Sequence, residues 1–208
     1  MNEREDAAFR AHLANVDPEF LNQIVNLPIP VLPPSRPPFE SLVRIVVGQQ
    51  LSTAAAQTVF HRLMMAMDGE LQPPALQAAS DALLRSVGLS GAKTRTIRAL
   101  ADFSGPEGRQ LEALCDSPWP GLRGDLLKIT GVGPWTVDMF GMFGLGLPDL
   151  FSAGDFALKK AMTQFLGIPL HEGPAAFEAR ALRWSPHRTL ASMYLWKLLE
   201  KPIGPQPK

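Results

Sequence analysis

The sequence predicts an all-α fold, and three observations carry that reading. Apolar residues recur at helical spacing over twelve segments, no stretch sustains the alternation of a strand, and prolines cluster at 28–38 and 202–207.

In order, the expected helices cover 4–14, 18–25, 39–47, 53–67, 74–87, 92–103, 106–115, 120–128, 135–143, 156–166, 174–184 and 187–200. Five of them open on a proline, at Pro18, Pro74, Pro106, Pro120 and Pro174. Proline suits the first helical position, where the N–H it lacks would have no partner. Helix 120–128 carries its apolar stripe at Leu122, Leu126 and Leu127, with Ile129 just beyond; helix 135–143 carries it at Trp135, Val137, Phe140 and Phe143. The prolines at 28–38 read as an extended connector, because the residue before a proline is pushed out of the α region, and those at 202–207 as a loose tail. A chain of 208 residues, 46% hydrophobic, can bury a proper core as one domain or two small lobes, with the connector as the lobe boundary.

Composition narrows the class. A single cysteine, Cys115, excludes a disulfide framework, and His12, His61, His171 and His187 are scattered without the spacing of a zinc site. The start MNEREDAAFR is charged and lacks an apolar signal region, and the longest apolar run, 139–148, is too short to span a bilayer, so the cytoplasm is the expected location. The formal net charge is +0, against the basic balance common in nucleic-acid proteins. Local distribution differs: Arg85, Lys93, Arg95 and Arg98 fall in a stretch without acids, Arg123 and Lys128 precede a glycine turn, and Lys159 and Lys160 follow Asp155. These read either as a DNA-facing set or as solvated helix faces.

Residues 126–160, LLKITGVGPWTVDMFGMFGLGLPDLFSAGDFALKK, hold the most chemistry. Gly131 and Gly133 are expected to take φ > 0 and pinch a hairpin between two helices, with Pro134 opening the second. Backbone N–H groups then face outward at the positive end of a helix dipole, a phosphate site that reads backbone and not sequence. The other reading is a plain helical joint whose first glycine is a C′ cap. Asp155 likewise has two readings. Ser152-Ala-Gly-Asp155 fits a capping box, with Asp155 returning to the Ser152 N–H. Set between Phe151 and Phe156 in an apolar stretch, it also suits the stabilisation of a developing positive charge at low effective dielectric.

The segment resembles the helix-hairpin-helix DNA glycosylases, with TGVGPW as the hairpin and Asp155 at the position of the catalytic aspartate. Within that superfamily it is most similar to the alkylation-repair branch, the 3-methyladenine DNA glycosylase II family. PFESLVRIVVGQQLSTAAA, VGLSGAKTRTIRAL, GDFALKKAM and RWSPHRTLASMYLW support the resemblance, which covers most of residues 37–200. It implies two helical lobes with a helix-hairpin-helix motif and an active-site cleft between them: 37–144 as the lobe ending in the motif, and 1–36 plus 145–208 as the lobe carrying the aspartate. Some members add an N-terminal mixed α/β domain, for which the residues before Pro38 leave no room.

Departures from the family pattern are informative. Bifunctional glycosylase/lyases place a lysine nucleophile where this chain has Trp135, so a monofunctional, water-using enzyme is expected. One cysteine cannot hold the iron–sulfur cluster of the endonuclease III branch.

The resemblance further implies base flipping out of double-stranded DNA containing damaged bases, by a monomer. Gly131, Gly133, Thr136 and Lys93 would contact DNA, while Gln50, Leu51, Leu89 and Ser90 would supply the plug and the loop that presses the opposite strand. Trp135, Met139, Phe156, Trp196 and Gln49 would line the base pocket, where aromatic faces attract a cationic methylated purine. A core reading stands beside the pocket reading of Trp196 and beside the wedge reading of Leu89, and a helix-capping reading stands beside those of Gln49 and Gln50. No cofactor is expected beyond a sodium or potassium ion on the carbonyls of Leu127, Ile129 and Val132. Asp155 would stabilise an oxocarbenium-like sugar and direct water to it, leaving an abasic site. A non-catalytic DNA-structure binder, a glycosylase for deaminated or etheno bases, and a metabolic helical enzyme with an accidental GVG turn remain the other readings.

Overall fold

The computed structural model describes residues 3–200, apart from the Glu107 side chain. The tail expected at 202–207 lies outside them. The described residues are helical with no strand: α1 Glu3–Val16, α2 Pro18–Ile24, α3 Pro38–Gly48, α4 Thr53–Ala66, α5 Pro73–Ala78, α6 Asp81–Ser86, α7 Gly91–Ser104, α8 Arg109–Cys115, α9 Trp119–Leu126, α10 Pro134–Phe143, α11 Phe156–Leu166, α12 Pro174–Leu182 and α13 Arg188–Glu200, with a 3-10 turn at Pro106–Gly108 before α8. None is long and apolar enough to cross a membrane.

Two segments expected as single helices are each broken, for local reasons. The 74–87 segment splits into α5 and α6 because Ala79 is extended and the Ser80 hydroxyl accepts the Leu83 N–H (3.1 Å), starting a new helix. The 106–115 segment starts as a 3-10 turn and restarts after Gly108, whose φ of 76° is outside the right-handed helical range.

The chain divides into two compact units, Met1–Pro33 with Gly146–Lys208, and Pro34–Leu145. Each has its own core. In the second unit α3 buries Phe39, Leu42, Val43, Val46 and Val47, a stripe at i, i+3, i+4, i+7 and i+8, among residues that include Leu63, Leu100, Leu126 and Phe140. In the first unit α13 is buried from Thr189 through Leu195, which makes it the central helix. Its hydroxyls are satisfied inside: Ser192 donates to the Arg188 carbonyl (2.9 Å) and Thr189 to the Leu147 carbonyl (2.7 Å).

Buried polar groups fix the first unit's helices on one another. Asp17 caps α2, accepts both Nε and an NH2 nitrogen of Arg180 (2.6 and 2.7 Å), and accepts the Trp184 indole N–H (2.7 Å). Burial alone would push the Asp17 carboxyl up, but the hydrogen bonds from Arg180, Trp184 and the Phe20 amide hold it below the usual carboxylate range.

Candidate active site

Asp155 is the N-cap of α11. Its Oδ1 accepts the Leu158 N–H at 2.7 Å and the Trp196 indole N–H at 3.3 Å, and the residue is only 9% exposed. The capping box expected with Ser152 does not form. Asp155 takes the cap position itself, its own amide donates to the Ser152 carbonyl (2.9 Å), and the Ser152 hydroxyl is buried without a partner. The neighbouring acid, Asp149, is engaged elsewhere. It accepts from Arg188 (2.8 Å) and Ser185 (2.7 Å), contacts that outweigh burial and keep its carboxyl below the usual range. In this first unit, then, one carboxylate ties the chain together and a second is held by a helix amide and an indole.

Trp196 thus meets Asp155 through its N–H while remaining half-buried on α13. Phe156 differs: at 64% exposure its ring lies on the surface at the start of α11, and it is not enclosed as a pocket wall would be.

The second unit carries the hairpin, from α9 through Gly133 into α10. Gly131 has φ 83°, and a Cβ there would fall 1.8 Å from the Thr96 hydroxyl oxygen, so both backbone and neighbour require glycine. Gly133 departs from expectation. Its φ of −103° is open to any residue, and a Cβ on it would meet no atom of the chain within 4 Å. It caps α10 without a side chain, and the first helical bond there runs from Val137 N–H to Gly133 O (3.1 Å). The amides preceding Val137 therefore sit outside the helical ladder, at its positive end. Among the three carbonyls expected to hold a cation, that of Ile129 accepts the Val132 N–H (3.0 Å) and retains its second lone pair. Neutral oxygens of this kind suit a monovalent ion.

Several expected DNA contacts take other parts. Thr136 is 1% exposed, so its side chain cannot reach a ligand; its hydroxyl accepts the Gln49 side-chain amide at 2.8 Å. Gln49, expected at the base pocket, spends that amide on Thr136 and on the Gly131 carbonyl (3.3 Å), bracing the turn after α3 against the hairpin. The Lys93 ammonium donates to the Val47 carbonyl (2.7 Å) at the end of α3, with burial lowering its pKa, and Ser90 caps α7 by accepting the Lys93 N–H (3.3 Å). Leu89, 3% exposed, belongs to the core and cannot act as a wedge. Met139 is buried and Trp135 half-buried.

Gln50 and Leu51 remain as surface candidates for the plug. Gln50 is exposed with φ 57°, a conformation costing a non-glycine residue roughly 1 kcal/mol, and Leu51 is 40% exposed. Of the basic residues, Arg98 pairs with Asp81 (2.8 Å) and Lys128 with Asp125 (2.7 Å), while Arg95 is exposed.

Residues 43–187 match the family described as HhH-GPD superfamily base excision DNA repair protein. The chain belongs to that family. It is 33% identical over 200 residues, 92% of its length, to a probable bifunctional transcriptional activator/DNA repair enzyme AlkA of Mycobacterium tuberculosis, and spans 39% of that protein. A crystal structure of DNA-3-methyladenine glycosidase from Bacillus halodurans superposes with a TM-score of 0.73 at 32% identity, covering 89% of this chain and 86% of that one. The 3-methyladenine DNA glycosylase Mag1 of Schizosaccharomyces pombe, in complex with abasic DNA, shares the fold with a TM-score of 0.79 at 24% identity, over 91% and 95% of the two chains.

Within this HhH-GPD chain, two contacts were not deducible from sequence. The Gln49–Thr136 hydrogen bond spans 87 positions and the Trp196–Asp155 bond 41, separations at which periodicity says nothing about pairing. The indole N–H, a donor that must find an acceptor when buried, was the one signal that could have suggested the second.

Proposed function

We propose that this chain is a monofunctional DNA glycosylase that extrudes alkylated bases, such as 3-methyladenine and 7-methylguanine, from double-stranded DNA and hydrolyses the N-glycosidic bond. The observation that carries the reading is the Asp155 carboxylate, with one oxygen fixed by the Leu158 amide and the Trp196 indole, in an HhH-GPD chain with Trp135 in place of the lyase lysine. The M. tuberculosis and B. halodurans relatives, named for AlkA repair and for 3-methyladenine, support the lesion class.

Alkylation makes the base a good leaving group, so the C1′–N bond breaks with its electron pair going to the base. Positive charge grows on the sugar. A carboxylate oriented by two N–H donors stabilises that charge without reorganising and takes the proton of the water that adds to C1′. Ahead of the chemistry, the amides around Gly133 grip a backbone phosphate, and Gln50 with Leu51 fills the space the base leaves. Each unit offers an indole, Trp135 and Trp196, and an indole face attracts a methylated purine by cation–π contact. The carbonyls of Leu127, Ile129 and Val132 would hold a sodium or potassium ion, which supplies positive charge beside that phosphate. The chemistry needs no other cofactor, and the protein works as a monomer in the cytoplasm.

The test is incubation of the protein with duplex containing 7-methylguanine, followed by chromatography of released base and alkaline cleavage of the strand. Free 7-methylguanine and alkali-labile sites in equal amounts are expected, with no covalent adduct on borohydride reduction. Duplex binding without base release would overturn the reading in favour of a non-catalytic binder, and release of only hypoxanthine or ethenoadenine would overturn the lesion class.

A further inference from the structure

We propose that a cleft on the α3–α4 face of the second unit, lined by none of the residues assigned to catalysis, binds the phosphate group of a phosphorylated small molecule. The cleft measures about 410 Å³ and is lined by Arg36, Arg44, Gln57, Phe60, His61 and Met64. The four from α4 fall at i, i+3, i+4 and i+7, one face of that helix, while Arg36 precedes α3 and Arg44 lies on it. Both guanidiniums sit over the same Phe60 ring, with Arg36 5.8 Å and Arg44 5.5 Å from its centroid.

Charge is unbalanced here. Glu40, one turn from each arginine along the chain, pairs with Arg36 alone. Arg36 still has its Nε buried without an acceptor. Arg44 forms no hydrogen bond or ion pair among the described residues; burial first and the Arg36 charge second hold its pKa below the usual arginine range, against a partial offset from Glu40. A methionine or leucine at position 44 would cover Phe60 equally well without repelling Arg36. Two neighbouring half-buried cations with one carboxylate, paired to Arg36, are a cost to the fold that a bound anion relieves.

The donors select the anion. Guanidinium forks match oxyanions, and with the Gln57 amide and the His61 ring the cleft offers more donors than the two oxygens of a carboxylate can accept. A phosphate monoester has three terminal oxygens. The volume falls in the range of small-ligand sites and exceeds what an inorganic ion fills, leaving Met64 to meet the organic part. A DNA backbone phosphate presents the same chemistry from a second source.

The experiment uses the full chain at fixed ionic strength, titrated with inorganic phosphate and with AMP by calorimetry and by NMR of the His61 ring, and with an undamaged duplex by fluorescence anisotropy. Saturable binding of phosphate and AMP is expected, absent for chloride, with His61 resonances shifting, and weakened about tenfold or more in Arg44→Gln. Should Arg44→Gln fold poorly, His61→Gln, at an exposed position, is expected to weaken AMP binding at unchanged Tm. Duplex affinity unchanged in the variants assigns the site to a small molecule, as proposed; parallel loss of duplex binding would overturn that source in favour of DNA. No saturable phosphate binding, or equal binding by wild type and both variants, would overturn the site itself.

Discussion

At the scale of single residues, the Trp196 indole N–H is the second donor, beside the Leu158 amide, that fixes the direction of the Asp155 carboxylate. Trp196→Phe keeps most of the ring while removing that donor. A hydrogen bond to a charged acceptor in a half-buried setting contributes roughly 1 kcal/mol, so single-turnover base excision is expected to fall about fivefold with Tm nearly unchanged. An unchanged rate would remove the Trp196 donor from the explanation. The same scale shows where the sequence could not be read. Leu89 and Leu51 are equally apolar on paper, yet one is sealed in the core and the other lies in the turn after α3. Only packing distinguishes them. Asp155 was recognisable as a capping residue and as a candidate carboxylate, and it is a cap, though through Leu158 and not through Ser152.

At the scale of elements, the two hairpin glycines make separable predictions. Gly131→Ala combines a left-handed backbone with a collision against Thr96 and is expected to destabilise the protein by about 2–4 kcal/mol, seen as a lower midpoint in urea denaturation. Gly133→Ala meets ordinary φ and open space, so the midpoint should stay within about 0.5 kcal/mol while affinity falls for undamaged and lesion duplex alike. A binding loss confined to one lesion would contradict a phosphate grip at that turn. Most helices were legible because the 3.6 period is strong in a chain whose two cores are built from helix faces. The breaks at Ser80 and Gly108 were not, since each depends on one cap or one positive φ that leaves the apolar stripe intact.

At the scale of the whole molecule, acid sensitivity follows from carboxylates that tie helices together. Asp17 and Asp149 both have folded pKa values below their unfolded ones, so they add stability that is fully present above the ordinary carboxylate pKa and is lost as pH falls below about 4 toward the depressed values. Urea midpoints measured from pH 7 to pH 3 should hold level and then drop, and Asp17→Asn should lower the pH 7 midpoint while flattening the acid limb. An equally steep limb in Asp17→Asn would remove that residue from the explanation. A formal charge of +0 assigns DNA attraction to local groups and not to the total. Arg98 and Lys128 are already paired with acids while Arg95 is exposed, so under the proposed function the phosphate contacts fall to the backbone amides at the hairpin and to Arg95. The measurement that bears most directly on the central claim is single-turnover excision of 7-methylguanine from duplex DNA by wild type and Asp155→Asn, read beside their affinities for the same duplex. The account predicts affinity within a few-fold and excision slower by on the order of a hundredfold or more; equal excision rates would contradict it.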